Sequence, residues 1–192
     1  MKIITRILTV VFFTLVVSAC AAPPLEEMQK AQDAVTRAES DADAVAYAGN
    51  YIIRARDALT RMQSEADSKN YDAAKEFAAE AVSNAERAIA EGKSAKERSR
   101  SEASALLDSL QTLIGETQNV LDNAKNVPNI LLDFNALTQD MDTARGTYDE
   151  ARQNFQSGNN KDAIAKGQTV RTLLSDINAR INEAAVDTSR KK

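Results

Sequence analysis

Apolar side chains recur every three or four residues along most of the chain beyond residue 24, and this spacing places them on one face of an α-helix. The clearest example alternates steps of four and three: Ile130, Phe134, Leu137, Met141, Ala144, Tyr148, Ala151 and Phe155. No convincing run of strict two-residue alternation, the pattern of a half-buried strand, is found. The sequence therefore predicts an all-α fold.

The composition favours helices and excludes several kinds of site. The 192 residues include only six Gly and three Pro, and the abundant Ala, Glu, Lys, Arg and Gln lose little rotamer freedom in a helix. The chain has no His, which excludes a Ser-His-Asp triad, a Cys-His pair and a His-ligated zinc site. Its single Cys excludes an internal disulfide and every CxxC site. We expect no metal site and no cofactor.

Turn-forming residues divide the helical pattern into hairpins. The interruptions fall at residues 47–50, 68–70, 126–129 and 157–160, and short turns favour antiparallel neighbours packed about 20° apart. Only Gly92 and Gly115 interrupt the pattern between residues 70 and 126, which predicts one long central helix or two helices joined near Gly92. The predicted architecture is an elongated antiparallel helical bundle in which this central segment links two hairpins.

The first twenty residues have the pattern of an export signal. Lys2 and Arg6 precede an apolar run over residues 7–17, which is shorter than the roughly 20 residues that a membrane-spanning helix needs. The following VVSAC sequence, which ends at Cys20, resembles the lipobox of bacterial lipoproteins. This resemblance implies cleavage after Ala19 and acylation of the Cys20 thiol. The alternatives are an ordinary signal peptide with an incidental Cys, or a buried N-terminal thiol.

The lipobox resemblance also implies a location. Two or three acyl chains anchor a protein stably where one gives only marginal binding, so we expect the bacterial cell envelope. Ala21 stands where an Asp would resemble an inner-membrane retention signal. We therefore expect the outer membrane, facing the periplasm, if the organism has two membranes. In a one-membrane organism the anchor would hold the protein on the outer face of the plasma membrane.

The predicted segments follow in chain order. They are a lipoprotein signal peptide (1–19), a lipidated tether (20–24), an N-terminal alanine-rich helical hairpin region (25–92), a connecting helix (93–127), a C-terminal helical hairpin (128–186) and a flexible tail (187–192). Loss of Lys2 and Arg6 from the 24 basic residues leaves 22 against 28 acidic ones. An acidic mature chain argues against nucleic acid or anionic lipid as the main partner.

Two further patterns concern the hairpins. Residues 55–59 (ARDAL) are similar to 151–155 (ARQNF), and residues 68–75 (SKNYDAAK) to 157–163 (SGNNKDA), which indicates either an internal repeat or the general likeness of alanine-rich helices. Residues 67–74 (DSKNYDAA) also resemble the turn between the two helices of a tetratricopeptide repeat. The Trp and Leu-Gly positions of that repeat are absent.

Together with the lipobox, the Pro-Pro tether and Tyr51, these features resemble a domain-of-unknown-function family of small alanine-rich bacterial lipoproteins. The resemblance covers roughly residues 20–92. It implies a tetratricopeptide-like helical hairpin at the envelope and brings no catalytic residue with it.

Charged clusters are the remaining candidates for chemistry. Carboxylates lie close in sequence at Asp41 and Asp43, at Asp140 and Asp142, and at Asp149 and Glu150. A glycosidase needs two carboxylates about 5–9 Å apart across a cleft, but no aromatic platform for a sugar accompanies these pairs, and we expect solvated helix faces. The basic run Lys93, Lys96, Arg98 and Arg100 is either a docking patch or a solvated helix face. Interleaved acidic residues favour the solvated face.

We expect a non-catalytic, lipid-anchored helical adaptor or scaffold that contacts the membrane through acyl chains on Cys20 and binds protein partners, not nucleic acid. A periplasmic holdase-type chaperone is the alternative. An envelope hydrolase using paired carboxylates is less favoured. The sequence leaves the partner, the oligomeric state and any small ligand open.

Overall fold

The computed structural model describes residues 22–190, and all regular structure in that range is helical. The helices are α1 (Leu25–Ser40), α2 (Ala42–Tyr47), α3 (Gly49–Asp67), α4 (Tyr71–Lys125), α5 (Phe134–Gln156) and α6 (Asn160–Arg190). The predicted all-α fold is confirmed. The long central helix is confirmed as well, because α4 continues for 55 residues through both Gly92 and Gly115.

The predicted signal peptide, its cleavage after Ala19 and the lipidation of Cys20 lie outside the described residues. Within residues 22–190, no helix combines the length and the apolar character needed to cross a membrane.

The chain divides into two compact units, with the division inside α4 between Lys93 and Ser94. The first unit contains α1, α2, α3 and the first part of α4, and the second contains the remainder of α4 with α5 and α6. The segment predicted as a connecting helix, residues 93–127, therefore falls almost wholly in the second unit.

Alanine dominates the core of the first unit. Its buried members are Ala31, Ala34, Val35, Ala38, Ala44, Ile52, Ala55, Ala58, Met62, Ala78, Ala81, Ala85 and Ala88. Small side chains let helices approach closely, and Gly92 is the extreme case, because a Cβ atom there would lie 2.6 Å from the backbone nitrogen of Ala44. No real Cβ contact is that short, so α2 packs against α4 only because residue 92 is glycine.

Larger side chains fill the core of the second unit, including Leu110, Leu121, Leu137, Met141, Leu174 and Ile177. One polar contact accompanies them. The fully buried Thr117 hydroxyl accepts a hydrogen bond from the side-chain amide of Asn178 at 2.8 Å. A buried polar group needs a partner of this kind because desolvation without one is costly.

The turns of the two helical hairpins have the same backbone hydrogen bonds, shifted by 89 residues (from 70 to 159). The N–H of Asn70 donates to the carbonyl of Glu65 at 2.8 Å, and the N–H of Asn159 donates to Asn154 at 2.8 Å. Three more N–H to carbonyl bonds in the first turn have a counterpart in the second. The bond from Ser68 to Ser64 corresponds to that from Ser157 to Gln153, and the bond from Lys69 to Ala66 to that from Gly158 to Phe155. The bond from Ala74 to Asn70 corresponds to that from Ala163 to Asn159. The likeness seen in sequence at these turns is therefore also structural.

The same shift relates the cores of the hairpins. Buried residues 48, 52, 55, 62, 74, 78, 81, 85, 88 and 92 correspond to buried residues 137, 141, 144, 151, 163, 167, 170, 174, 177 and 181. Ala55 thus corresponds to Ala144. The sequence similarity had paired it with Ala151, one heptad away, because alanines at heptad spacing cannot be told apart by sequence.

The first helix of each unit corresponds by a different shift. Arg56 of α3 donates to Glu39 of α1, and its counterpart Arg145 of α5 donates to Gln118 of α4 at 2.9 Å. The shift between the first helices is therefore 79 residues (from 39 to 118), because the chain between the two contacting residues is ten residues longer in the second unit (from 118 to 145) than in the first (from 39 to 56). Each unit is built on three principal helices.

Candidate functional site

The carboxylate pairs predicted from sequence do not converge on a common site. Asp140 accepts a hydrogen bond from Arg180 of α6 at 2.7 Å, whereas Asp142 lies 3.7 Å from Arg145 on its own helix. The two carboxylates of this pair therefore bind different cations.

The other pairs behave in the same way. Asp149 lies 3.9 Å from Arg152 on α5, and Glu150 forms an ion pair with Lys166 of α6. Asp41 caps α2 by accepting the N–H of Ala44 at 2.8 Å. Within residues 22–190, no group of three or more acidic or Cys side chains is placed to hold a metal ion. These carboxylates have structural partners.

The basic run lies on α4, where Arg98 donates to the hydroxyl of Ser94 at 2.6 Å. Lys93 and Arg100 are exposed. Lys93, Lys96 and Arg100 are spaced by three and four residues and therefore lie on one face of α4, whereas Arg98 is turned away from that face.

The first unit contains a different cationic feature, centred on Tyr51. The guanidinium carbon of Arg54 lies 5.5 Å from the centroid of the Tyr51 ring, and that of Arg87 lies 5.9 Å from it. Both distances are typical of a cation–π contact. The ring is half-buried between α3 and α4, and both arginines are exposed. We call these three residues the Tyr51 surface.

The two arginines of the Tyr51 surface have no ion-pair partner among residues 22–190. Their neighbours on α3 differ, since Arg56 pairs with Glu39 and Arg61 lies 2.8 Å from Asp57. The Tyr51 hydroxyl likewise forms no hydrogen bond within the described residues. Among the residues that the structure describes, the two guanidinium groups and the phenol of the Tyr51 surface therefore have no side-chain or backbone hydrogen-bond partner.

A second arginine–aromatic contact extends along the same pair of helices. The guanidinium carbon of Arg61 lies 5.8 Å from the centroid of the Phe77 ring. Arg61 is two helical turns beyond Arg54 on α3, so the contact lies toward the turn of the hairpin. Asp57 neutralises Arg61 locally, which leaves the Tyr51 surface as the more cationic of the two.

The second unit carries acidic residues at the positions of Tyr51 and Arg87, a basic residue at the position of Glu91, and the neutral Thr143 at the position of Arg54. Tyr51 corresponds to Asp140, Arg87 to Asp176 and Glu91 to Arg180 through the shift of 89 residues. Arg180 donates to Asp140 at 2.7 Å and to Asp176 at 3.4 Å. The hydrogen bond that Arg180 donates to Asp140 is the main cause of a raised pKa of the Arg180 guanidinium. The second unit thus neutralises this position with its own side chains.

A groove of about 340 Å³ lies between α1 and α4 in the first unit. Its lining carries both signs of charge, from Glu27, Lys30, Lys75 and Glu86, and Ala78 and Val82 contribute apolar surface. The lining has no net charge, so the groove shows no preference for a cation or an anion.

Sequence reasoning noted Tyr51 only as part of a family resemblance and missed Arg87. Tyr51 and Arg54 are three residues apart on one helix, which is a local signal. Arg87 is brought to them only by the antiparallel pairing of α3 with α4, because residues 51 and 87 lie at matching distances from the turn at residues 68–70. Once the turn at residues 68–70 is located in the sequence, counting equal distances on either side of it identifies Arg87 as the partner of Tyr51.

The geometry defines an all-α protein of two corresponding three-helix units, the first of which carries an uncompensated arginine–tyrosine surface. Residues 26–104 match the family model of a domain of unknown function (DUF4398). The match includes the Tyr51 surface and agrees with the resemblance seen in sequence. No curated protein and no solved structure matches the chain. The lipoprotein and tetratricopeptide-like parts of that resemblance stay predictions.

Proposed function

We propose that this protein is a lipid-anchored, non-catalytic adaptor of the bacterial cell envelope that binds protein partners through the Tyr51 surface. The observation that carries this proposal is the pair of exposed guanidinium groups of Arg54 and Arg87 on one half-buried tyrosine ring. Arginine and tyrosine are enriched among the residues that dominate protein–protein binding energy. An aromatic ring held between two helices is also fixed in place before a partner arrives.

The partners of the carboxylates support a non-catalytic function. Asp140, Asp149 and Glu150 form ion pairs with Arg180, Arg152 and Lys166. A hydrolase would need two such groups directed into a shared cleft. Their use in ion pairs along helix faces fits a protein whose surface is built for contacts.

The sequence at Cys20 supports the anchor. Four residues separate Cys20 from the start of α1 at Leu25, and an extended chain spans at most about 3.3–3.6 Å per residue. Acyl chains on Cys20 would therefore hold α1 close to the membrane surface. In an organism with two membranes, we propose the outer membrane, with the protein facing the periplasm.

The test is crosslinking in living cells followed by mass spectrometry, with Cys20→Ala as the unanchored control. We expect a small, reproducible set of proteins crosslinked to the wild-type chain and lost in the control. A broad set of unfolded proteins would favour the holdase alternative, and the absence of any crosslinked protein would refute the adaptor.

The intact mass of the membrane-extracted protein tests the anchor separately. We expect a chain that begins at Cys20 and carries the added mass of two or three acyl chains. An unmodified N-terminus, or full membrane retention of Cys20→Ala, would contradict lipidation.

A further inference from the structure

We infer that the Tyr51 surface binds an acidic segment of a partner protein, whose carboxylates contact Arg54 and Arg87. This inference rests on the proposed adaptor function and names the chemistry of the partner. The residues that carry it belong to one hairpin, formed by α3 and α4 in the first unit.

Unpaired guanidinium groups are the first reason for an acidic partner. Arg54 and Arg87 lie near the same ring, and no carboxylate pairs with either among residues 22–190. An anion that contacts either guanidinium is attracted by the charges of both. A cation–π contact does not use the N–H groups at the edge of the guanidinium plane, and that edge matches the two oxygens of a carboxylate.

The second unit provides an internal comparison for the first. At the positions that correspond to Tyr51 and Arg87, it places Asp140 and Asp176, and Arg180 binds both carboxylates. This arrangement shows that this part of the hairpin accommodates a cluster of opposite charges. In the first unit the charges are exchanged, because Arg87 takes the position of Asp176 and Glu91 that of Arg180. Neither Arg54 nor Arg87 has a bound carboxylate among residues 22–190, and we assign the carboxylates that bind them to the partner.

The small number of cationic groups at the Tyr51 surface favours a short protein segment over a membrane. Acidic residues outnumber basic ones by fourteen to nine between residues 22 and 93, so an anionic partner is attracted only by direct contact with the two arginines. Anionic lipid surfaces attract clusters of about four to eight basic residues, which the Tyr51 surface does not supply. Two arginines beside a tyrosine fit a short acidic segment, because the segment's carboxylates can contact the arginines while its chain packs against the aromatic ring.

The experiment measures the binding of a fluorescent octaglutamate peptide to the membrane-extracted, full mature protein in neutral detergent micelles. An octaglutamine peptide of the same length is the uncharged probe. The test variant is Arg54→Gln with Arg87→Gln. The matched control is Arg145→Gln with Arg171→Gln, which removes the same charge from exposed positions of the second unit.

We expect the wild-type protein and the matched control to bind octaglutamate equally, and the test variant to bind it roughly tenfold more weakly. We expect Arg54→Lys with Arg87→Lys to recover only part of the affinity, because lysine retains the charge but loses the planar fork. Raising the salt concentration should weaken binding of the wild-type protein.

Three outcomes would overturn the inference. They are equal loss of binding in the matched control, equal binding of octaglutamine, and displacement of the peptide by inorganic phosphate or by phosphatidylglycerol in the micelles at the same anion concentration. Circular dichroism of the test variant checks that it is folded. If the test variant is unfolded, the comparison is made with Arg54→Lys and Arg87→Lys, which keep both charges.

Crosslinking in cells separates this inference from the proposed function. If the test variant loses the partners that the wild-type chain captures, the inference is supported. If it captures the same partners in the same yield, the acidic-segment inference fails and the adaptor function stands. If the wild-type chain captures none, the adaptor function fails.

Discussion

Lys69 and Gly158 occupy the same position in two corresponding turns, and both adopt a left-handed backbone, with φ of 62° and 80°. Their N–H groups each donate to a carbonyl three residues earlier at 3.0 Å. Glycine adopts this conformation without steric cost, whereas lysine does not. The two turns thus have the same backbone geometry, which is unstrained at Gly158 and strained at Lys69.

Replacing Lys69 with Gly should stabilise the first unit. Removal of the side chain relieves the left-handed strain, and part of this gain is offset by the greater freedom of glycine in the unfolded chain, so we expect a gain of about 0.5–1 kcal/mol. Gly158→Ala should lower stability by about 1 kcal/mol for the opposite reason. Urea unfolding followed by circular dichroism measures both changes. Lys69→Ala is the control, and a gain there equal to that of Lys69→Gly would contradict the role of φ.

Gly92→Ala should destabilise the first unit by about 1–3 kcal/mol, as overpacking of a close helix contact does. The added Cβ atom would lie 2.6 Å from the backbone nitrogen of Ala44, and a backbone atom cannot move aside as a flexible side chain can. Gly115→Ala is the matched control on the same helix, because no atom lies within 4 Å of its added Cβ. It should stabilise α4 by about 0.5–1 kcal/mol. Equal thermal midpoints for the two variants would refute the close approach of α2 to α4.

Thr117→Val should destabilise the second unit by about 1–3 kcal/mol, because it leaves the amide of the part-buried Asn178 without its partner. Adding Asn178→Leu should recover much of the loss, since both polar groups are then absent. A double-mutant cycle in urea measures the coupling. The exposed Thr112→Val is the control, and strictly additive effects of the changes at 117 and 178 would exclude a meaningful interaction.

The pKa of Asp122 is lowered below 3.8, first by the hydrogen bond from Gln118 and then by the one from Lys125. Both donors favour the carboxylate in the folded state. The contribution of Asp122 to the stability of the folded state is therefore fully present above its pKa in the unfolded chain. It is lost as the pH falls through its lowered pKa in the folded protein. Carbon NMR of the carboxyl group should give a midpoint below 3.8 that rises in Gln118→Met and rises less in Lys125→Gln. A larger rise in Lys125→Gln would reverse the order of the two causes.

Much of the fold follows from local patterns. The four-three spacing from Ile130 to Phe155 predicts one face of a helix, and that face is buried at Leu137, Met141, Ala144 and Ala151. Ile130 lies before the helix, because Asp133 caps α5 and the helix begins at Phe134. The turns at residues 68–70 and 157–160 were also found, because Asn and Gly there interrupt the helical period. The continuity of α4 through Gly92 stayed open in sequence, since a glycine within a helical pattern is compatible with a break or with a close contact.

The sequence by itself determined the helical class, the positions of the hairpin turns and the absence of histidine-based chemistry, because each depends on composition or on spacing along one helix. Only the tertiary structure decided which charged residues meet. Arg87 reaches Tyr51 through the pairing of α3 with α4, and Arg180 reaches Asp140 through the pairing of α5 with α6. The correspondence of Ala55 with Ala144 also depends on how α3 pairs with α4 and how α5 pairs with α6. Contacts between helices depend on how two faces pack, and an alanine-rich face with a heptad period permits several registers that the sequence alone does not distinguish.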